Sequence, residues 1–174
     1  EPSVRVLLTD SSWQSCYHPS VTIEQKGKEH TYTPDSQELQ NDSLLLDGGA
    51  DGIAIPSIER AQNPPVYYGT LEIKKTAQGL LIINELSLEA YLEAVVPSEM
   101  PASYEEQALM AQAVCARTYA VCQMQENSLE KYGADVDDSV NYQVYNNFPA
   151  DKRTSKAVQD TKGQILCQNG EPIT

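Results

Sequence analysis

The chain has little basic charge, few histidines and few aromatic rings other than tyrosine. Lysine and arginine total 12 against 25 acidic residues, a net charge of −13. That balance excludes the basic footprint a nucleic-acid binder needs and disfavours an electrostatic grip on anionic lipid. No apolar run approaches the roughly 20 residues that span a bilayer, and Glu1 opens no signal-peptide pattern. His18 and His30 have no companion at metal-ligand spacing. Four cysteines invite a disulfide count, but Cys115 and Cys122 fall two turns apart on one predicted helix, about 10 Å, beyond disulfide reach. They read as small core residues, and Cys16 and Cys167 are expected to stay thiols. No internal repeat is visible. What is present is a 40% hydrophobic, 21% charged composition over 174 residues, enough for one domain with a proper core or two small ones.

Periodicity predicts a mostly β portion over residues 1–83. Val4 to Thr9 and Val21-Thr22-Ile23 read as strands, Leu44-Leu45-Leu46 as a short one, and Val66–Ile73 and Leu80–Asn84 as two more around a turn at Thr76–Gly79. Asp47-Gly48-Gly49-Ala50-Asp51-Gly52 has the look of a calcium loop but lacks the ligand ladder and closing glutamate, so turn chemistry explains it better. Residues 84–174 form the second portion. It holds a helix from Ser87 to Val95, a long alanine-rich helix over Tyr104–Gln125, a short helix at Ser155–Asp160, and a closing hairpin with Asn169-Gly170 in its turn. The fold class expected is α+β, with β-hairpins packed around the long helix.

The stretch from Val95 to Cys122 organises this second portion. Pro97 and Pro101 flank Ser98-Glu99-Met100 and predict a stiff corner, because each proline biases the residue before it away from helix. Ser103 and Glu106 have the spacing of a capping box for the long helix. Glu99 stands at the mouth of that slim helix. Glu105 and Glu106 lie in its first turn, where negative charge suits the helix dipole, and read as structural. Glu89 and Glu93, an i, i+4 pair, read as a solvated face. Arg117, in the middle of the Ala/Cys-rich helix, is costly to bury unpaired, so it is either half of a buried ion pair or a functional cation. With Met110 and Ala113 it forms one stripe of that helix.

These residues carry a family resemblance. Leu88-Glu89-Ala90-Tyr91-Leu92, Val95-Val96-Pro97-Ser98-Glu99-Met100-Pro101 and Ala116-Arg117-Thr118-Tyr119-Ala120 resemble the signature of the SpoIID/LytB family, the relatives of sporulation stage II protein D. The likeness is dense from Asn84 to Tyr119, looser from Tyr132 on and faint before Tyr67. It implies a peptidoglycan lytic transglycosylase with Glu99 as catalytic acid and Arg117 as a second catalytic residue. Gln143 and Tyr145, in the segment resembling the family's glutamine-valine-tyrosine, become candidates for substrate binding. Where several relatives place cysteine and histidine for zinc, this chain offers Asp137, Val140 and Tyr142, so no metal and no other cofactor is expected. Met110 stands where relatives often carry lysine.

In the implied reaction one carboxyl does both jobs. It protonates the glycosidic oxygen leaving C1 of N-acetylmuramic acid, and takes the proton of the C6 hydroxyl as that oxygen closes a 1,6-anhydro ring on C1. Such an acid must hold its proton near neutrality, which asks for largely apolar surroundings, here Val95, Val96, Met100 and Pro101. The bland alternative is a capping or surface glutamate. The partners implied are glycan strands stripped of stem peptides and a cell-wall amidase or endopeptidase. The location implied is the cell envelope, with membrane contact only through an absent N-terminal anchor. The resemblance also implies that a Ser/Thr/Gly-rich segment beyond Thr174 is missing. Two other readings stay open: a non-catalytic wall-binding or amidase-enhancing module, and a purely structural interaction domain. The excess of ten tyrosines over one phenylalanine lends the glycan groove slight support.

Overall fold

Residues 1–173 are described by a computed structural model, in which the chain runs β1 (Ser3–Leu7), β2 (Val21–Gln25), β3 (Lys28–Tyr32), β4 (Ser43–Asp47), β5 (Ile53–Ala54), β6 (Val66–Tyr67), β7 (Thr70–Thr76), β8 (Gly79–Ser87), α1 (Leu88–Glu99), α2 (Glu106–Glu126), β9 (Val136–Asp137), α3 (Lys152–Asp160), β10 (Cys167–Gln168) and β11 (Glu171–Pro172). The architecture is α+β. A five-stranded sheet has the order β4-β7-β8-β1-β9, and a four-stranded one the order β3-β2-β5-β6. All pairings in the larger sheet are antiparallel except β1 with β9, which run parallel.

The two-residue alternation of β8 divides the larger sheet into faces. Leu80, Ile82 and Leu86 turn into the main core with Val4 and Val6 of β1 and Leu71 and Ile73 of β7. Leu81 and Ile83 turn the other way and meet Leu7 and Ala134 in a smaller cluster. On that second face Arg5 joins Glu85 and Glu72 in ion pairs and donates from Nε to the Gly133 carbonyl at 2.6 Å. α1, α2 and α3 bury Tyr91, Leu92, Val95, Val96, Ala113, Ala116, Ala120 and Val158 in the main core. β1 belongs to the expected N-terminal portion and β9 to the C-terminal one, so the larger sheet is built from both.

Several local expectations are revised. Val66–Ile73 is two strands in different sheets, because the chain breaks at Tyr68-Gly69. Gly69 has φ +79°, and a Cβ there would come within 2.2 Å of the Glu85 carbonyl oxygen. The buried Asn84 amide donates to the carbonyls of Tyr68 at 2.8 Å and Thr70 at 3.0 Å, on either side of the break. α2 starts at Glu106 with no side-chain cap, so the Ser103 capping box does not form. Arg153 instead donates to the carbonyls of Ala102 and Tyr104 and ties this turn to α3. Cys115 is exposed rather than core, and all four cysteines are free. The Asp47–Gly52 turn is as expected, with the Asp47 carboxylate accepting from the Gly49 N–H at 2.9 Å. Asn169 and Gly170 take φ of 53° and 84° in the closing hairpin, whose expected last residue, Thr174, lies outside the described residues.

Candidate active site

Ser87 ends β8 and caps α1, its hydroxyl accepting from the Ala90 N–H at 3.2 Å. α1 then runs to Glu99 through Pro97, which revises the expected corner. The proline forfeits one backbone hydrogen bond, to the Glu93 carbonyl, but full burial of Val95 and Val96 holds the turn in place. The helix ends at Glu99 because Pro101 drives Met100 out of the α region, to φ −140° and ψ 129°. Glu99 is thus the last helical residue, presented at a helix end.

A loop from Asp138 to Phe148 closes over that end. Ser98 Oγ donates to the Ala94 carbonyl at 3.0 Å and accepts the N–H groups of Asn147 and Phe148 at 3.1 and 3.2 Å. The Asn146 N–H donates to the same Ala94 carbonyl at 3.1 Å. With the loop fixed, the Val144 N–H donates to Glu99 Oε1 at 2.6 Å. Oε2 of Glu99 receives no hydrogen bond among the described residues, and the side chain is exposed rather than enclosed by apolar neighbours. Its groove, about 460 Å³, is walled by Pro97, Met100, Pro101, Phe148 and Pro149, with Asp151 as a second carboxylate already engaged in capping α3. Pro149 also walls a cleft of about 600 Å³ that reaches Tyr68 and Glu93.

The loop rests on a buried polar foundation. Asp138, fully buried, accepts from the Thr9 N–H and hydroxyl at 3.0 and 2.6 Å and from Arg60 Nη2 at 2.8 Å. Burial holds its carboxyl above the ordinary range, against the pull of Arg60 and Thr9. Arg60 stacks under the Trp13 ring, 3.7 Å from its centroid. Thr9, Trp13 and Arg60 are not legible as site residues in the sequence, because nothing local connects them to a loop some 80 to 130 residues away.

The expected sugar contacts of Gln143 and Tyr145 are corrected by burial, at 8% and 1% exposure. Gln143 accepts from Tyr91 Oη at 3.0 Å and donates to the Ala116 carbonyl at 3.2 Å, while Tyr145 Oη donates to Asn84 and its ring stacks on Tyr91 at 5.3 Å. Both hold the loop from beneath. Tyr67, Tyr91 and Tyr145 make one interior cluster, so a good part of the tyrosine excess serves the core. Their hydroxyls are pushed up from the ordinary range by burial.

Arg117 takes the buried-ion-pair alternative of its two expected settings and is not among the residues lining the Glu99 groove. It is 1% exposed and forms a two-pronged pair with Glu89, Nε to Oε1 at 2.9 Å and Nη2 to Oε2 at 2.7 Å. It donates further to the carbonyls of Val158 and Gln164, each at 3.1 Å. Glu89 is therefore not part of a solvated face, and it lies about 15 Å along α1 from Glu99 by helix rise. No three potential ligands gather for a metal among the described residues. Asp137 is spent on the N–H and hydroxyl of Ser139, and Val140 and Tyr142 offer no thiolate or imidazole, so this donor set does not fit zinc.

The sequence profile of the stage II sporulation protein family, SpoIID, matches residues 76–167, from the end of β7 through α1, α2, the loop and α3. This chain belongs to the SpoIID family. It is 36% identical over 124 residues to an uncharacterized protein of Brachyspira hyodysenteriae, covering 71% of this chain and 32% of that one. To the amidase enhancer of Bacillus subtilis it is 45% identical over 83 residues, covering 48% of this chain and 11% of the relative. To stage II sporulation protein D of the same organism it is 38% identical over 105 residues, covering 52% and 31%. The chain thus spans a third or less of the length of each. Glu99, Ser98 and the loop fall inside the SpoIID match; Trp13 and Arg60 fall outside it.

Proposed function

We propose that this SpoIID chain acts on the bacterial cell wall as a lytic transglycosylase, cleaving between N-acetylmuramic acid and N-acetylglucosamine with Glu99 as general acid and base. The observation that carries this reading is the Glu99 carboxyl at a helix end, with one oxygen fixed by the Val144 N–H and the other unengaged over a groove whose second carboxylate, Asp151, is taken up in capping α3. Oε2 is the atom assigned to the glycosidic oxygen, and the same carboxylate then takes the C6 hydroxyl proton as the anhydro ring closes. The apolar surroundings that such an acid needs come with the substrate. A strand seated on Pro97, Met100, Pro101, Phe148 and Pro149 displaces water from the groove, so the proton transfers take place out of bulk solvent. Arg117, Gln143 and Tyr145 serve as positioning residues in this reading. An extracytoplasmic location follows from such a substrate.

Mass spectrometry of products from glycan strands free of stem peptides tests the reading. Anhydromuramyl ends are expected, and reducing ends would mean hydrolysis instead. The second reading, a wall-binding module that assists an amidase, is favoured by the 45% identity to the amidase enhancer. It predicts strand binding with no new ends.

A further inference from the structure

A second cavity, about 490 Å³, has Val144, the residue that holds Glu99, in its wall. It is walled by Ser12, Trp13, Gln14, Val140, Asn141 and Val144, with Ser139 and Asn147 completing it. Val144 belongs to both places: its N–H holds the Glu99 carboxylate, and its remaining atoms wall the cavity. In a chain of net charge −13, none of these residues is charged. The lining is one indole, aliphatic surface, hydroxyls and three side-chain amides. That combination suits a neutral pyranose, whose C–H face packs on an aromatic ring while its hydroxyls and N-acetyl group pair with amides.

Trp13 is also held unusually firmly for a partly exposed aromatic. Its φ is +62°, a region bulky residues rarely occupy unless their surroundings impose it, and such positions concentrate at ligand sites. The imposition is visible. The Asp10 carboxylate accepts from the Ser12 N–H at 3.1 Å, the Ser12 hydroxyl at 2.7 Å and the Gln14 N–H at 3.3 Å, and the Trp13 N–H donates to the Asp10 carbonyl at 3.0 Å. Beneath the indole lies the Arg60 guanidinium, itself locked by Asp138.

We infer that this cavity is a saccharide subsite for one N-acetylglucosamine residue of the strand, stacked on Trp13 and bonded by Gln14 and Asn141. The inference rests on the glycan reading of Glu99 and adds which sugar this cavity takes. A muramic residue carries a lactyl carboxylate, for which the lining offers no cation; the neutral sugar fits.

Trp13 is the only tryptophan in the chain, so intrinsic tryptophan emission reports on this site alone. The probe is chitotetraose, a neutral N-acetylglucosamine oligomer, titrated into the whole chain carrying Glu99→Gln so that no turnover intervenes. A saturable change in Trp13 emission is expected. Asn141→Ala is expected to raise the dissociation constant about tenfold, the scale of one amide-to-sugar hydrogen bond. Trp13→Ala is expected to weaken sedimentation with peptide-free glycan roughly tenfold, and Trp13→Phe to restore part of it, with thermal melts confirming that both remain folded. Emission that stays flat to saturating sugar, or binding indifferent to Asn141→Ala, overturns the subsite. The two readings fail separately. Wild-type protein that cuts glycan with flat Trp13 emission keeps Glu99 and loses the subsite. Saturable emission with uncut glycan keeps the subsite and removes the cleavage reading.

Discussion

The two ends of α1 carry two glutamates ten residues apart, and the fold treats them in opposite ways. Glu89 is drawn into a two-pronged bond with buried Arg117, which also clamps the end of α3 through the Val158 and Gln164 carbonyls. The Glu89 carboxylate has both oxygens engaged by Arg117, and the pair links three helices. Glu99 receives a single backbone N–H and keeps an oxygen unengaged at the surface. A carboxylate with saturated partners and little exposure is a strut; one aimed by a neutral donor over a groove is available for chemistry. The same side chain on the same helix is assigned its role by what the surrounding loops bring to it.

The sharpest way to break this comparison is to neutralise each end in turn. Glu99→Gln is expected to lower glycan cleavage by about 10²- to 10⁴-fold, the usual range for a general acid–base group, with the melting temperature nearly unchanged. Anhydromuramyl ends counted beside a thermal melt check it, and normal turnover would remove Glu99 from the site. Arg117→Ala is expected to do the reverse. It removes the buried half of the pair and leaves the partly buried Glu89 carboxylate and two carbonyls without their donor, at a cost of about 3–5 kcal/mol, so the melting temperature falls by roughly 10 °C or more and activity falls only in step with folded protein. Arg117→Lys recovers part of the stability, lacking the planar fork. Activity lost from a protein that melts normally would return Arg117 to the chemistry.

Asp138→Asn lies between the two ends. It retains shape beneath the loop but removes the charge facing Arg60, so a moderate loss of stability is expected together with a lower kcat, as Val144 loses its fixed position. Full kcat in a destabilised protein would uncouple loop and foundation. The smallest effect concerns pH. His18 is buried, and its ring lies 2.9 Å from the Leu8 carbonyl through Nε2, which therefore carries the proton in the neutral ring. Burial lowers its pKa, with Arg60 acting the same way and the Leu8 carbonyl and Asp10 opposing. The unfolded chain takes up this proton below about 6.5 while the folded chain resists it, so stability falls as pH drops through and below that value. Melts from pH 7.5 to 5.5 should show the decline, and His18→Gln should flatten it.

Local patterns make much of this legible. Alternation marks the strands, Ser87 marks the start of α1, and Asn169-Gly170 marks the closing hairpin. The prolines around Glu99 point to a special carboxyl, although Pro97 proves compatible with helix once Val95 and Val96 are buried. The sequence offers Arg117 a choice of pair or site but not its partner, which lies 28 residues away on another helix. The foundation formed by Thr9, Arg60 and Asp138 is invisible for the same reason, since such pairs are defined only by tertiary contact. Gln143 and Tyr145 stand out in the sequence but with the wrong role, because periodicity in a loop does not say which way a side chain turns.

The parallel pairing of β1 with β9 has a kinetic consequence. Val6 and Leu7 meet Val136 and Asp137 across 130 residues of chain, and the loop that holds Glu99 begins at the very next position. Long-range closures of this kind are made late and slowly, after local hairpins and helices have formed. A chain grown only as far as the end of α2 already has Glu99 on a complete helix but has no Val144 N–H to aim it. Assembly of the site is therefore tied to the last long-range strand to dock, and a partly folded chain carries its carboxyl without the means to use it.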